Sequence, residues 1–305
     1  MMWRMSEASA APIDVTVAVP IYNAARYLRP CLDSLLRLNY PPGSLEILCV
    51  DNGSTDGSLA ILNEFDGRIR ILHESKRGAA AARNTAMRAA RGTLIAFTDA
   101  DCVIDPDWLT HLLPPVRTGE ADVCGGRILA LPGAGTIERF GELIHDHCAA
   151  IEACHPPAFI SMNIAARVDL LLSHGGFDER WIRSQDSELA FRLAAAGRRF
   201  VYRSQAVIFH HNRSTLKQLC KEAYTHGYYG AELFRVYRDF IDRYPRPAPG
   251  TPRILTDRPP ALQSIPAWQR ALLWQLFRTW KRAGWAAGRR RPPECLRPQP
   301  GLPSA

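Results

Sequence analysis

An α/β fold with a doubly wound, mostly parallel sheet is what the sequence predicts. Short apolar runs alternate in the first third of the chain with segments whose apolar residues recur every three or four positions, so strands alternate with helices. Polar, turn-forming residues follow directly after several predicted strands. Because ligands of such sheets bind beyond the carboxyl ends of the strands, these polar residues mark the expected site.

Four strands are predicted in this part of the chain, over residues 14–20, 45–50, 69–72 and 94–97. They are rich in Val, Ile and Leu, which is typical of buried strands. A helix is predicted after the first strand and another, rich in alanine, over residues 78–90. Apolar residues at helical spacing define the buried face of the first helix: Leu28, Leu32, Leu35 and Leu36.

The second half of the chain has a mixed pattern. Paired glycines predict a turn at residues 175–179. A helix is predicted over residues 186–196, and Gly197 suits its C-terminal cap. A further strand is predicted over residues 200–209, directly before two histidines.

Asp99 and Asp101 follow the fourth predicted strand, one residue apart. In an extended strand end such residues point to the same side, so their carboxylates can converge. Mg2+ or Mn2+ held by one or two protein carboxylates keeps open positions that suit the oxygens of a diphosphate. The pair therefore indicates a nucleoside-diphosphate site, although Asp-x-Asp in isolation is also a common turn or helix cap.

Charge is unevenly distributed along the 305 residues, whose formal net charge is +8. Residues 245–305 carry 11 Lys and Arg against 2 Asp and Glu, whereas the preceding part is about neutral. A neutral globular part argues against a nucleic-acid-binding core, and a basic tail suits an anionic surface. Scattered cysteines and the lack of a long apolar run favour a cytoplasmic location, peripheral at the inner face of the membrane.

The tail is predicted to contain a linker and an amphipathic helix. Prolines recur through residues 245–266, which favours an extended linker, and residues 267–288 have helical periodicity. Residues 1–13 are expected to be a flexible N-terminus and residues 289–305 a basic, Pro-rich end. Such a helix suits an anionic membrane surface, or it packs back on the domain. Its two faces are apolar and basic: Trp268, Leu272, Leu276 and Trp280 against Arg270, Arg278, Lys281 and Arg282.

Residues 14–211 resemble a family 2 glycosyltransferase with the GT-A fold. The resemblance implies a Rossmann-like, mostly parallel sheet flanked by helices, with a C-terminal helical tail. Residues 14–244 would form one domain, with a nucleotide-binding half over residues 14–105 and an acceptor half over residues 106–244. Six motifs in order carry the resemblance: VPIYN at 19–23, VDNGSTD at 50–56, ARN at 82–84, TDAD at 98–101, GGFDE at 175–179 and QD through Arg at 185–192.

The resemblance implies roles around the nucleotide. Asp51 would accept a hydrogen bond from the base, and Asp99 would lie near the ribose. Asp101 would hold the metal ion, Mn2+ or Mg2+, with His211 preferred over its neighbour His210 as a further ligand. The metal would stabilise the departing nucleoside diphosphate. Nucleotide contacts are implied for eight residues: Pro20, Tyr22, Asn23, Asp51, Ser54, Arg83, Asn84 and Asp99.

Asp186 is the implied general base, which takes the proton from the acceptor hydroxyl in an inverting transfer. Many members of the family carry Glu-Asp where this chain has Gln185-Asp186, so one acidic partner is absent. Considered without the other motifs, Asp186 also fits a helix cap.

The implied reaction moves a sugar from a nucleotide-diphosphate sugar, with a UDP-sugar as the first expectation, to a hydroxyl of a glycolipid or polysaccharide precursor. The signature Gln-x-x-Arg-Trp of processive synthases is absent, which favours single-sugar addition. Two alternatives stay open. One is a membrane-attached, non-catalytic nucleotide-sugar-binding protein, favoured by Gln185, and the other is a sugar-phosphate nucleotidyltransferase, whose Gly-rich loop is missing here.

A cluster of possible zinc ligands lies in the acceptor half. Their spacing fits no standard zinc pattern, so a helix surface or an acceptor contact is the competing interpretation. The residues are His145, His147, Cys148, Cys154 and His155.

Overall fold

The structure is a computed structural model that describes residues 12–247 and 255–290. The predictions for residues 1–11 and 291–305 lie outside this part of the chain. Within the described ranges one sheet of eight strands is formed by β1 (Val15–Ile21), β2 (Leu45–Asp51), β3 (Arg70–His73), β4 (Leu94–Phe97), β5 (Cys102–Ile104), β6 (Val123–Ala130), β7 (Ile164–Arg167) and β8 (Phe200–His210).

Helices cover the sheet, and the buried face predicted for the first of them is confirmed, since Leu28, Leu32 and Leu35 are at most 1% exposed. The helices in the described ranges are α1 (Ala25–Leu35), α2 (Ser58–Glu64), α3 (Ala79–Ala89), α4 (Trp108–Leu112), α5 (Pro114–Arg117), α6 (Thr136–Ile144), α7 (His147–Glu152), α8 (Val168–Ser173), α9 (Gln185–Ala195), α10 (Leu216–Val236), α11 (Arg238–Arg243), α12 (Ala261–Ser264) and α13 (Ala267–Gly288).

The strand order is β3-β2-β1-β4-β7-β6-β8-β5. The first four strands in this order are parallel, as predicted for the nucleotide-binding half. Beyond β4 the sheet is mixed, because β7 runs antiparallel to both of its neighbours and β5 runs antiparallel to β8. The predicted α/β architecture is confirmed, with a mixed sheet in its second half.

The register of the parallel strands brings their polar ends together. Ile21, the last residue of β1, pairs with Asp51, the last residue of β2. Ala18 pairs with Phe97 at the end of β4, so the acidic segment after β4 leaves the sheet on the same edge. The turns after three neighbouring strands therefore meet at one edge of the sheet.

The Pro-rich segment before α13 differs from the predicted extended linker. Its described part contains α12, and the side chains of Ala261 and Ile265 are fully buried. Tyr202 donates a hydrogen bond to Asp257 at 2.7 Å, which ties the segment to β8. Prolines tolerate this arrangement because Pro260 and Pro266 stand at helix starts, where no backbone N–H is needed.

The helix α13 packs along α10 through small residues. A Cβ atom added at Gly227 would clash with the carbonyl oxygen of Lys281, and one at Gly284 with that of Tyr224. Leu273 and Phe277 of α13 are buried in a cluster that includes side chains of α6 and α10. Among the described residues no helix is both long and apolar enough to span a bilayer.

Candidate active site

A cleft of about 700 Å3 opens beyond the carboxyl ends of β1, β2 and β4. This volume is typical of ligand pockets, which span about 300–1,000 Å3. Six residues predicted from the sequence line it: Pro20, Tyr22, Asn23, Arg83, Asp99 and Asp101. The other predicted residues fall outside this lining set: Asp51, Ser54, Asn84, Asp186 and His211.

The turns after β1 and β2 are hydrogen-bonded to each other. Asn23 has a φ of 49°, in the left-handed region that asparagine tolerates better than most residues. Its Oδ1 accepts a hydrogen bond from the Thr55 backbone N–H at 2.8 Å, and its own N–H donates to Ser54 Oγ at 3.1 Å. Asn23 and Ser54 therefore fix the shape of the cleft rim.

Asp51 is nearly buried at the end of β2, where its carboxylate caps the following turn. It accepts hydrogen bonds from the backbone N–H groups of Gly53 at 3.2 Å and Ser54 at 3.3 Å. His73 Nδ1 lies 3.6 Å from Asp51 Oδ2. A carboxylate oxygen has more than one acceptor position, so these contacts leave capacity for a donor on a ligand.

Asn52 and Arg77 are two residues of this site that sequence reasoning missed. The Asn52 amide donates to the Lys76 carbonyl at 2.7 Å and accepts from the Gly78 N–H at 2.7 Å. The Arg77 guanidinium lies 3.7 Å from the ring centroid of Tyr22, a cation–π contact across the cleft mouth. The sequence signal that could have identified Arg77 is its position, with Gly78, directly before an alanine-rich helix.

Arg83 and Asp99 form an ion pair on the cleft wall. Arg83 Nη2 lies 2.7 Å from Asp99 Oδ1, and Arg83 is only 4% exposed. Its buried Nε has no hydrogen-bond partner within the described residues. A buried, unpaired N–H is costly, so this donor fits a site for an oxygen-rich ligand.

Asn84, the neighbour of Arg83, holds a loop together. Its Nδ2 donates to the Phe177 carbonyl and to Glu179 Oε1, both at 2.8 Å, and its Oδ1 accepts from the Phe177 N–H at 2.9 Å. The amide thus fastens the predicted turn at residues 175–179 to α3. A direct contact of Asn84 with a nucleotide stays a prediction.

His210, and not the preferred His211, faces Asp101. His210 Nε2 lies 3.4 Å from Asp101 Oδ2, whereas the His211 ring packs against Tyr27 with centroids 4.7 Å apart. His210 is the last residue of β8, whereas His211 lies just beyond the strand and donates its backbone N–H to the Asp101 carbonyl at 3.0 Å. The contact favours His210 over His211 as the partner of Asp101, and a metal contact of either histidine stays a prediction.

The charges of this pair reinforce each other. Burial, the largest single influence, lowers the pKa of His210, but the charge of Asp101 and the hydrogen bonds to Asp101 and Asn212 together raise that pKa above its ordinary value. Burial likewise raises the pKa of Asp101, and the charge and hydrogen bond of His210 reverse this effect and leave that pKa lowered. The Asp101 carboxylate is consequently ionised at neutral pH.

The donor set at Asp101 fits a divalent cation that is shared with a diphosphate. No group of three or more His, Cys, Asp or Glu side chains arranged for a metal occurs in the part of the chain that is described. Mn2+ and Mg2+ at nucleotide sites need only one or two protein ligands, because phosphate oxygens supply the rest. His210 Nδ1 is hydrogen-bonded to Asn212 Oδ1 at 2.7 Å, which orients Nε2 toward Asp101.

Asp186 occupies the first turn of α9. Its Oδ1 accepts a hydrogen bond from the Ser187 N–H at 2.8 Å, and its Oδ2 from the Ser161 N–H at 3.4 Å. Burial, the largest influence, raises the pKa of Asp186, and the charge of Arg83 lowers it in part. A carboxylate with a raised pKa beside the cleft has the character of a general base.

The possible zinc ligands do not assemble into a metal site in the structure. His147 is almost fully buried, where its Nδ1 hydrogen-bonds the Gly126 carbonyl at 2.9 Å and its Nε2 accepts from the Ile160 N–H at 3.0 Å. Burial lowers the pKa of His147 to about 4, so the imidazole is neutral. Both ring nitrogens are engaged by the backbone, which makes His147 a structural residue.

Comparison with protein families identifies two matches. The family described as Glycosyl transferase family 2 matches residues 16–171, and Glycosyl transferase family group 2 matches residues 94–286. Similar curated proteins include Glycosyltransferase AglE of Haloferax volcanii, 29% identical over 60% of this chain and 62% of its own length. Pre-mycofactocin glycosyltransferase of Mycobacterium tuberculosis is 30% identical over 70% of this chain and 46% of its own length. The chain thus spans less than two thirds of these relatives.

Solved structures show the same fold. The mannosyltransferase PcManGT from Pyrobaculum calidifontis, in complex with GDP-Man and Mn2+, aligns over 92% of this chain and 88% of its own with a TM-score of 0.60 and 22% identity. TarS of S. aureus, in complex with UDP-GlcNAc, aligns over 91% of this chain and 90% of its own with a TM-score of 0.54 and 17% identity. At these identities the likeness establishes the fold alone.

Proposed function

Because the chain belongs to glycosyltransferase family 2, we propose that it transfers a single sugar from a nucleoside-diphosphate sugar to a hydroxyl acceptor, with inversion at the anomeric carbon. The observation that carries the proposal is the arrangement of three groups in and beside one cleft, whose lining includes Gln185, the neighbour of Asp186. These are the ionised Asp101 beside His210, the Arg83–Asp99 ion pair, and Asp186 at the start of α9. Together they provide a metal position, an oriented acceptor of hydrogen bonds and a base.

The donor nucleotide would bind between the turns after β1 and β2. Tyr22 and Arg77 supply a flat, cationic platform for the base, and Asp51 supplies an acceptor for a base N–H. Arg83 holds the Asp99 carboxylate in place to accept hydrogen bonds from the ribose. We propose UDP as the nucleotide, with GDP as the alternative, because the similar structures carry UDP-GlcNAc and GDP-Man.

Asp101 and His210 are the residues that would hold the metal. When bound, Mn2+ or Mg2+ supplies positive charge against the departing diphosphate. Asp186 accepts the proton of the acceptor hydroxyl as that oxygen forms its bond to the anomeric carbon. The bond from the anomeric carbon to the phosphate oxygen breaks in the same displacement, and its electron pair leaves with the diphosphate.

The outer face of α13 is proposed to rest on an anionic membrane surface, at the inner face of the cell membrane. Trp268 is 68% exposed, Leu272 59% and Trp280 43%, although the opposite face of the helix is packed on the domain. Exposed cations of the same helix, Arg278 and Arg282 among them, complement anionic lipid headgroups. An acceptor anchored in that membrane, such as a glycolipid or polysaccharide precursor, would then be within reach of the cleft.

The test incubates the protein with a panel of UDP- and GDP-sugars and Mn2+, with membrane extract as the source of acceptor. Turnover is measured as the release of nucleotide. One donor should be consumed only when acceptor is present, and nuclear magnetic resonance of the product should show the opposite anomeric configuration to the donor. Retention of configuration would contradict the inverting mechanism. Donor binding without any turnover would favour a non-catalytic binding protein.

A further inference from the structure

A second cavity, of about 290 Å3, lies between the loop before α9 and the first turns of α10. Arg183 lines this cavity and also the donor cleft, so the two share a wall. Arg213, three residues after the end of β8, also lines the cavity. The cavity therefore adjoins the place where the sugar is transferred.

Positive charge dominates the lining. Arg183, Arg213 and Lys221 face a single carboxylate, that of Glu222. Arg213 Nε lies 3.5 Å from Glu222 Oε1, which neutralises one of the three cations. Neither the Arg183 guanidinium nor the Lys221 ammonium has a hydrogen-bond or ion-pair partner within the described residues. Two cations of the cavity are thus available to a ligand.

His226 also lines the cavity and is affected by the same positive charges. Burial and the charges of Lys281, Arg183 and Arg213 lower the pKa of His226 to about 4. The imidazole is therefore neutral at pH 7 and can donate or accept a hydrogen bond without adding charge. Gln218 and Thr225 add further uncharged polar groups to the wall.

We propose that this cavity binds a phosphate group of the acceptor, an inference that rests on the proposed sugar transfer. Arg and Lys together bind phosphate oxygens through charge-assisted hydrogen bonds, and Arg183 offers the forked geometry that phosphate matches. The acceptor hydroxyl must reach the anomeric carbon in the donor cleft. A phosphate bound on the other side of Arg183 fixes how far the acceptor extends into that cleft. The ligand is a phosphate monoester or diester, carried either by a membrane lipid or by a soluble sugar.

The test titrates phosphate probes into protein already saturated with UDP and Mn2+, so that the donor cleft is occupied. The probes are decyl phosphate below its micellar concentration, glycerol 3-phosphate, and decanol as the uncharged control. The variants are R183Q/K221Q, which removes the two unpaired cations, and K217Q, a matched exposed lysine of α10 outside the cavity. Neither change alters a buried contact, so both variants should fold.

Wild type and K217Q should bind the phosphate probes equally, and R183Q/K221Q at least about 10-fold more weakly. Tighter binding of decyl phosphate than of glycerol 3-phosphate would identify a lipid acceptor, and equal binding a soluble one. The proposal is overturned if R183Q/K221Q binds like wild type, or if decanol binds as tightly as decyl phosphate. UDP affinity, measured first in each variant and in the single variant K221Q, separates this result from a failure of the donor site, because Arg183 lines both cavities whereas Lys221 lines the second cavity alone.

Discussion

His210 Nε2 lies 3.4 Å from Asp101 Oδ2, while the adjacent His211 turns its ring onto Tyr27. Two consecutive histidines at the end of β8 thus make different contacts. His210 joins the carboxylate expected to hold the metal, and His211 packs against α1 while its backbone N–H donates to the Asp101 carbonyl. The pair offers an internal comparison. The same substitution removes an imidazole beside Asp101 at position 210 and an imidazole on Tyr27 at position 211.

His210→Gln should weaken UDP binding in the presence of Mn2+ by about 10-fold or more, the usual effect of losing a group that ligates a metal or orients its ligands. His211→Gln should leave this affinity within about 3-fold, because its ring does not face Asp101. Calorimetric titration of UDP with and without Mn2+ measures both. An equal loss in the two variants would contradict the assignment of His210.

Asp186→Asn should lower sugar transfer by about 100- to 10,000-fold, because the base is removed, and should leave UDP affinity unchanged. Nucleotide release and UDP titration on the same preparation separate the two effects. A non-catalytic binding protein would be indifferent to the change.

The same variant tests the raised pKa. Since burial raises the pKa of Asp186 in the folded chain above its unfolded value, ionisation of this group destabilises the fold at any pH above the folded pKa. Asp186→Asn should therefore melt at the same or a higher temperature than wild type at pH 7, and the difference should vanish below the ordinary Asp pKa of about 3.9. Transfer by wild type should fall as the pH drops through the raised pKa. A lower melting temperature of the variant at pH 7 would contradict the burial argument.

Gly227→Ala should lower the free energy of unfolding by about 1–3 kcal/mol, because the new Cβ meets the Lys281 backbone carbonyl at the crossing of α10 and α13. Gly230→Ala is the matched control on the same helix. Its Cβ would lie 3.7 Å from the Trp285 ring, an ordinary contact, so this variant should be neutral or stabilised by up to about 1 kcal/mol. Urea unfolding of both variants measures the difference, and equal stabilities would argue against the tight crossing.

Trp268→Ser combined with Leu272→Ser should reduce binding to vesicles that contain anionic lipid by about 10-fold, because two exposed apolar anchors are lost. Gln275→Ser, on an exposed part of the same helix, should bind like wild type. Co-sedimentation with anionic and with neutral vesicles measures this. Binding that is unaffected by the double substitution would show that α13 does not contact the membrane through this face.

The parallel half of the fold was predictable because its signals are local. Continuous apolar runs and helical spacing located β1 to β4 and the helices α1 and α3, although not α2, and the polar residues after the strands marked the site. The strands β5, β6 and β7 were not predicted. They are short, or they carry glycines such as Gly125 and Gly126, where side chains or the backbone of neighbouring elements leave no room for a Cβ.

The remaining parts depend on tertiary contacts that the sequence pattern does not contain. The 21-residue helix α10 was not predicted, because glycines such as Gly227 weaken the helical pattern and are explained only by the partner helix. The sequence left open whether the stripe Trp268, Leu272 and Trp280 meets a membrane or packs on the domain, and the structure shows that Leu273 and Phe277 are the residues that pack. The choice between His210 and His211 depended on the local geometry at the end of β8, where His211 has left the strand.

The measurement that tests the central claim most directly is calorimetric titration of UDP and GDP, each with and without Mn2+, into wild type and Asp101→Asn. One nucleotide should bind wild type in a Mn2+-dependent manner, and Asp101→Asn should lose at least about 10-fold in that affinity, because the metal loses its carboxylate ligand. Mn2+-independent binding, or an Asp101→Asn variant that binds like wild type, would contradict a metal-assisted nucleotide site at this edge of the sheet.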